Sequence, residues 1–239
     1  MYYAIGDIHG QLDALQLLLK KIEYRPEEDF LYFVGDYVDW GPKSIETLLF
    51  MMELSKNLKV NCVLGNHDKM MIDAITNKVC KAQIERGYGL WKTNGGSDTY
   101  SQFLAQPNSV QQKITSWMKA LPEEIDNVNV NGNKFCIAHA TRIVPAWMGQ
   151  WLTDDYDSER VWHRLNVGED PFGGFDEFKD VVLICGHTPT VYHTGKYEPY
   201  FDDKFIDIDT GAKVLGVRGY EGANLTALKL EDLSYTSVK

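Results

Sequence analysis

The chain has little cysteine, no long hydrophobic run and no surplus of positive charge, and each shortage removes a class of protein. Four cysteines, Cys62, Cys80, Cys136 and Cys185, occur in 239 residues without a C-x-x-C pair. Three of them sit inside or at the ends of apolar runs, so buried free thiols are expected rather than the disulfide framework of a small secreted scaffold. No apolar run approaches the ~20 residues that span a bilayer, and the Met-Tyr-Tyr-Ala-Ile-Gly start has no basic segment leading into an apolar one. These absences predict a soluble, cytoplasmic protein with no membrane contact. Lys and Arg number 24 against 34 Asp and Glu, a formal net charge of −10. A surface of that sign is not built to grip a nucleic-acid polymer, whose affinity comes from counterions displaced by Lys and Arg. Any phosphate site must therefore be locally positive. No internal repeat, low-complexity tract or linker divides the chain, which is long enough for one substantial core. A single α/β domain of mixed sheets over residues 1–239 is expected.

What is present is a series of short apolar runs that stop at polar, glycine-containing loops. Tyr2–Ile5 stops at Gly6, and Leu12, Leu15, Leu18, Leu19 and Ile22 follow at helical spacing. Phe30–Val34 repeats this strand-loop-helix pattern, with a helical stretch from Ile45 to about Leu54, and Val60–Leu64 ends at Gly65-Asn66-His67-Asp68. Residues 69–121 read as an inserted helical layer interrupted by glycines, among them Asn94-Gly95-Gly96. Asn131-Gly132 between Val128–Val130 and Phe135–Ala138 is a tight hairpin signal, because both positions accept positive φ. A Trp-rich stretch from Trp147 to Trp162 is expected as core and cleft wall, and Asp154–Asp157 as a solvated loop. Val181–Cys185, Phe205–Ile208 and Leu225–Leu230 read as the remaining strands.

The polar residues fall in a pattern that a generic α/β domain does not need. Asp7, His9, Asp36, Asp39, Asn66, His67, His139 and His187 all lie just beyond the carboxyl end of an expected strand, where loops converge on one cleft. Taken singly, each has an ordinary explanation: an Asp after a strand caps the next helix, and a His at a strand end is held by hydrogen bonds. Those explanations do not account for five strand ends carrying metal-ligand residue types together, nor for four of the six histidines among them.

Gly6-Asp7-Ile8-His9-Gly10, Gly35-Asp36-Tyr37-Val38-Asp39-Trp40-Gly41, Gly65-Asn66-His67-Asp68, His139-Ala140 and Gly186-His187-Thr188 occur in the order seen in the bacterial and phage branch of the PPP phosphoprotein phosphatases. The chain resembles that branch, within the calcineurin-like metallophosphoesterase superfamily, over most of its length. The resemblance implies mixed sheets flanked by helices, with a dinuclear metal site at the strand carboxyl ends. It implies that Asp7 and His9 hold one divalent transition metal, that Asn66, His139 and His187 hold another, and that Asp36 bridges them about 3.5–4 Å apart. Imidazole, carboxylate and amide donors suit Mn²⁺, Fe or Zn²⁺, with Mn²⁺ the expected activator. It further implies hydrolysis of phosphate monoesters by a hydroxide between the metals, with His67 as general acid oriented by Asp39.

One position departs from the family pattern, in which the second segment ends Asp-Arg-Gly and the arginine binds phosphate; this chain has Trp40. The indole either stacks on a nucleobase or phenyl ring or packs inward. Arg164 resembles the later phosphate-binding arginine; Arg142 and Arg160 could also reach the cleft as substrate-binding candidates, with a solvated surface role the favoured reading for both. Arg218 is a more distant candidate. The expected substrate is a phosphorylated protein or a small phosphate ester, handled by a monomer or weak oligomer. A serine/threonine or dual-specificity protein phosphatase is the leading expectation. A symmetrical dinucleoside tetraphosphatase comes second, and a weakened binding protein third.

Overall fold

The computed structural model describes residues 1–76, 89–142 and 160–239. Two five-stranded sheets form its centre. In the first, β1 (Tyr2–Ile5), β2 (Phe30–Phe33) and β3 (Val60–Cys62) run parallel, the late strand β9 (Leu225–Lys229) joins antiparallel beside β1, and β10 (Tyr235–Val238) pairs antiparallel with β9 at the edge. In the second, β5 (Asn133–Ala138), β6 (Val181–Cys185) and β8 (Phe205–Asp207) are parallel, edged by β4 (Glu124–Val130) and β7 (Tyr200–Phe201). The β1-to-β3 connections run through helices α1 (Leu12–Lys21) and α2 (Ser44–Leu54).

Side chains alternate between faces along each strand, and this alternation builds the layers. Ala4, Tyr32, Val34 and Leu228 of the first sheet meet Phe135, Ile137, Ile184 and Ile206 of the second in one buried cluster. Their neighbours Ile5, Leu31 and Phe33 point the other way, onto Leu15, Leu18, Ile45 and Leu48 of α1 and α2. Cys136, Leu183 and Cys185 face the outer side of the second sheet, against Leu165 and Phe172. Burying each of these large aliphatic or aromatic side chains contributes roughly 1.5–3 kcal/mol. The parallel order leaves the carboxyl ends of β1, β2, β3, β5 and β6 as the source of the loops that carry the polar residues.

The inserted layer starts earlier than the sequence suggests. Helix α3 (Asn66–Thr76) begins at Asn66 itself, followed by α4 (Ser97–Leu104) and α5 (Asn108–Lys119). Asn94-Gly95 is a kink, with Gly95 at φ 93°, inside a wide-turned stretch of residues 92–96. The hairpin expected at Asn131-Gly132 is present with φ 52° and 89°, and a register shift between Ile125 and Val128 extends β4 back to Glu124. Cys62, Cys136 and Cys185 are buried free thiols. Cys80, the Asp154–Asp157 run and most of the Trp147–Trp162 stretch lie outside the described residues. Among the described residues no helix is long and apolar enough to cross a membrane.

Candidate metal centre

The loop after β1 turns at Gly6, where a Cβ would lie 2.3 Å from the Ile208 carbonyl oxygen. That close approach sets Asp7 and His9 against the β2 loop, and the His9 amide donates to the Asp36 carbonyl at 2.8 Å. All eight residues singled out at strand ends are buried, His67 at 8% exposure being the most open.

Carbonyl oxygens assign the histidine tautomers, because a carbonyl only accepts. Nδ1 of His9 lies 2.9 Å from the Val38 oxygen and Nδ1 of His139 lies 2.9 Å from the Val34 oxygen, so each Nδ1 carries the proton and each Nε2 presents a lone pair. His187 is reversed: Nε2 donates to the Trp162 oxygen at 3.1 Å and Nδ1 is free. His139 Nε2 and His187 Nδ1 then converge on Asn66 Oδ1 at 2.9 and 3.0 Å. Three acceptors face one another there with no hydrogen between them, an arrangement that a cation completes.

Asp36 links two such groups. Its Oδ2 is 3.5 Å from His9 Nε2 and its Oδ1 is 3.4 Å from His139 Nε2. The donor atoms of His9, Asp36 and His67 lie within 4.8 Å of one another, and so do those of Asp36, His139 and His187. Asp7 adjoins the first group, 3.9 Å from His9 Nε2; one of its oxygens accepts from the His187 amide at 3.1 Å, and the other is buried without a partner among the described residues. Gly186 and Gly65 make room for the carboxylates, since a Cβ would fall 1.9 Å from Asp7 Oδ1 and 2.1 Å from Asp36 Oδ1.

Burial raises the Asp7 carboxyl well above the usual range, and repulsion from Asp209, Asp36 and Asp207 adds to it. Burial lowers His9 to about 3, and it lowers His139 and His187 as well. Burial would raise Asp36, but the surrounding His139, His67 and His9 outweigh it and hold its carboxyl below the usual value. For His67 burial opposes the charge, while Asp36 and Asp39 together raise its pKa. The lowered imidazoles of His9, His139 and His187 beside crowded, desolvated carboxylates are the donor set expected of a divalent transition-metal pair.

Several supporting groups carried no signal of their own in the sequence. Asp68, next to His67, accepts backbone N–H bonds from Asp36, Tyr37 and Gly65 at 2.9–3.0 Å and so joins the second and third loops. Asp39 Oδ2 accepts from His67 Nδ1 at 2.7 Å and from the indole N–H of Trp91 at 2.8 Å. Trp91 is fully buried in the inserted layer, and its ring sits where a side chain on Gly96 would be. Ser44 Oγ receives the Asp39 amide and, in turn, the Thr99 hydroxyl, each at 2.9 Å. Buried Asp207 and Asp209 stand at the end of β8.

The outer candidates divide. Trp40 is 50% exposed, its ring centroid 6.4 Å from that of His67, and it covers Gly95, so it does not pack inward. Arg164 donates to the His187 carbonyl at 3.2 Å and lines a cavity of about 730 Å³. Arg142 is drawn away from the cleft: Glu124 and Asp126 of β4 hold its guanidinium at 2.6 and 2.8 Å, and it lies over the Phe178 ring. It also neutralises the acidic group those residues form with Cys136. Arg160 is likewise paired with Glu123 and Glu124. Arg218 lines a separate cavity with Gln11 and Tyr220.

A family model described as calcineurin-like phosphoesterase matches residues 2–214. Over 145 residues, 61% of the chain, it is 34% identical to a symmetrical bis(5'-nucleosyl)-tetraphosphatase of Vibrio parahaemolyticus, covering 46% of that protein. Over 117 residues, 49% of the chain, it is 45% identical to the Pseudomonas syringae protein of the same name, covering 34% of it. The alignments thus span less than half the length of these curated relatives. The fold is similar to the crystal structure of a metallophosphoesterase from Sphaerobacter thermophilus, with a TM-score of 0.60, 16% identity and coverage of 100% of this chain and 88% of that one.

Proposed function

Because the chain belongs to the calcineurin-like phosphoesterase family, we propose that it is a dinuclear-metal phosphohydrolase acting on dinucleoside polyphosphates in the manner of the symmetrical tetraphosphatases. The observation that carries the phosphohydrolase reading is Asp36, whose two oxygens face two separate histidine groups in a buried site. The protein-phosphatase activity that the motifs first suggest gives way to the nucleotide reading. Two things favour the change: relatives 34% and 45% identical over the aligned stretches are named as symmetrical tetraphosphatases, and Trp40 presents a half-exposed indole where the resembling branch has a phosphate-binding arginine.

In this reading Asp7, His9 and Asp36 would hold one cation, and Asp36, Asn66, His139 and His187 would hold the other. When bound, such a pair neutralises phosphoryl oxygens and acidifies water to the nucleophile. The protein's own part is orientation and proton delivery. The carbonyls of Val38, Val34 and Trp162 keep a lone pair of each histidine turned toward the centre. His67, with Nδ1 committed to Asp39, has Nε2 left to protonate the departing oxygen. Trp40 beside His67 offers a stacking face for a base on the leaving side. Mn²⁺, Fe or Zn²⁺ suits the donor set.

Product analysis tests this directly. Metal-loaded protein incubated with diadenosine tetraphosphate should give two equivalents of ADP. Release of inorganic phosphate, or of AMP with ATP, would refute the symmetrical reading, and preferred turnover of phosphoserine peptides would restore the protein-phosphatase one.

A further inference from the structure

A cavity of about 730 Å³ opens beside the centre, far larger than one phosphate group and within the range of small-molecule sites. One wall is Arg164, bonded to the carbonyl of His187, together with the following Thr188. Another is Lys213, in the short turn Ala212–Val214 after β8. That turn is fastened to the first loop of the centre, since Gln11 Nε2 donates to the Ala212 carbonyl at 3.2 Å, and to Asp209 through the Gly211 amide at 3.0 Å. The cavity therefore shares its supports with the loops that carry His9 and His187.

Its charge runs against that of the whole chain. Two cationic side chains share it in a protein of net charge −10, and neither forms an ion pair with a carboxylate among the described residues. Asp207 and Asp209 lie behind Arg164 and Lys213 without reaching ion-pair distance, so positive groups on this concave surface remain open to an anionic ligand. The third wall is Tyr192 of α6 (Val191–Thr194), 73% exposed and so available to a planar ring.

We propose that this cavity is the subsite for one nucleoside diphosphate half of the substrate, Arg164 and Lys213 holding the phosphate next to the reacting one and Tyr192 stacking on the base. The assignment rests on the nucleotide reading above and adds to it Lys213 and Tyr192, which no family motif singles out. Trp40 and Tyr192 would then serve the two bases of a dinucleotide, one beside His67 and one beyond Arg164.

Calorimetric titration of metal-loaded protein with ADP, and separately with inorganic phosphate, tests the subsite. Lys213→Met should weaken ADP binding about tenfold or more, as expected for the loss of a charge-assisted phosphate contact. Tyr192→Ala should weaken it about tenfold through lost base stacking, while Tyr192→Phe keeps the stacking face and stays within about twofold of wild type. In both weakened variants the loss for ADP should exceed the loss for phosphate at least about fivefold, since phosphate reaches only the reacting position. Thermal melting reports whether the variants fold, and Tyr192, largely in solvent, removes no core on truncation. Equal ADP affinity across the variants, or equal losses for ADP and phosphate, overturns the subsite. Failure of the wild type to release ADP from diadenosine tetraphosphate overturns the nucleotide reading instead, and the ADP titration still judges the cavity.

Discussion

Trp91→Phe keeps an aromatic ring in the inserted layer while deleting one proton donor, the indole N–H that reaches Asp39 Oδ2 at 2.8 Å. A buried hydrogen bond to a charged acceptor contributes about 1.5–3 kcal/mol. The smaller ring also leaves a void in a fully buried position, adding about 1 kcal/mol. A total near 2.5–4 kcal/mol lowers Tm by about 5–15 °C in a chain of this size. Catalysis should respond in a narrower way. The other oxygen of Asp39 has no partner among the described residues, so without Trp91 the carboxylate is held mainly through the ring it is meant to orient. If about 1.4–2 kcal/mol of the lost bond appears in the barrier of steps that need proton delivery, those steps slow roughly 10–30-fold. The assay is turnover of alkyl phosphates and p-nitrophenyl phosphate with saturating metal, well below the variant's Tm. Alkyl esters should lose 10–30-fold by that estimate, and the activated aryl ester less than about threefold, because its leaving group needs little protonation. A uniform loss on both would mean that Trp91 supports the fold alone and that the Trp91–Asp39–His67 chain does not position a proton donor.

Asp36→Asn should cut hydrolysis at least ~100-fold and lower bound metal from two ions per chain to one or none; retained turnover with two ions would contradict a bridging role. Adding Mn²⁺ to chelator-treated protein at about 100 times Kd should stabilise it by about 2.7 kcal/mol per site, a Tm rise of roughly 5–10 °C per cation, whereas an unchanged melt would end the dinuclear reading. His67→Ala should slow alkyl esters about 10²–10⁴-fold and p-nitrophenyl phosphate only a few-fold; parallel losses would remove its role as proton donor. Gly186→Ala puts a methyl group 1.9 Å from Asp7 Oδ1, so native mass spectrometry should find one fewer metal ion on a chain that still folds. Full metal content in that variant would place Asp7 outside the site.

The strand ends were legible because each apolar run stops at a glycine or a polar residue, and the candidate ligands follow within a few positions, as with Asp7 and His9 after Tyr2–Ile5. Residues acting across the fold were not. Trp91 comes from the inserted layer, 52 positions from Asp39, and nothing local marks which tryptophan meets a carboxylate. Asp68 reads as one more acid beside His67, although its work is to tie the Asp36 and Tyr37 amides of the second loop to the Gly65 amide of its own. Arg142 is close to His139 in sequence, but the carboxylates of β4 take its guanidinium at ion-pair distance, a pairing between distant strands that no local pattern marks. Trp40 was undecidable because indoles both pack and stack, and its exposure depends on Gly95, a residue of the inserted layer. Substrate choice was least legible, since enzymes with different substrates share the ligand motifs.

Backbone strain adds a reason to treat these loops as one device. Among the described residues nine non-glycine positions have positive φ, and His9, Asp36, Asp39, Trp40 and His187 are five of them. Each such conformation costs on the order of 1–3 kcal/mol and persists only where surrounding contacts over-determine it. The contacts that do so here are specific. The Asp36 amide is held by Asp68, the Asp39 amide by Ser44, the His9 amide by the Asp36 carbonyl, and the His187 amide by Asp7. Packing of the two sheets gains nothing from turning the His9, Asp36, Asp39 and His187 side chains by strained backbone into one small, charge-crowded volume. Holding imidazole lone pairs and carboxylates convergent does, and their mutual repulsion is relieved only when positive charge sits among them. Cations bound there would stabilise the loops, and the same cross-loop hydrogen bonds that sustain the strain fix the distance between the two groups that share Asp36.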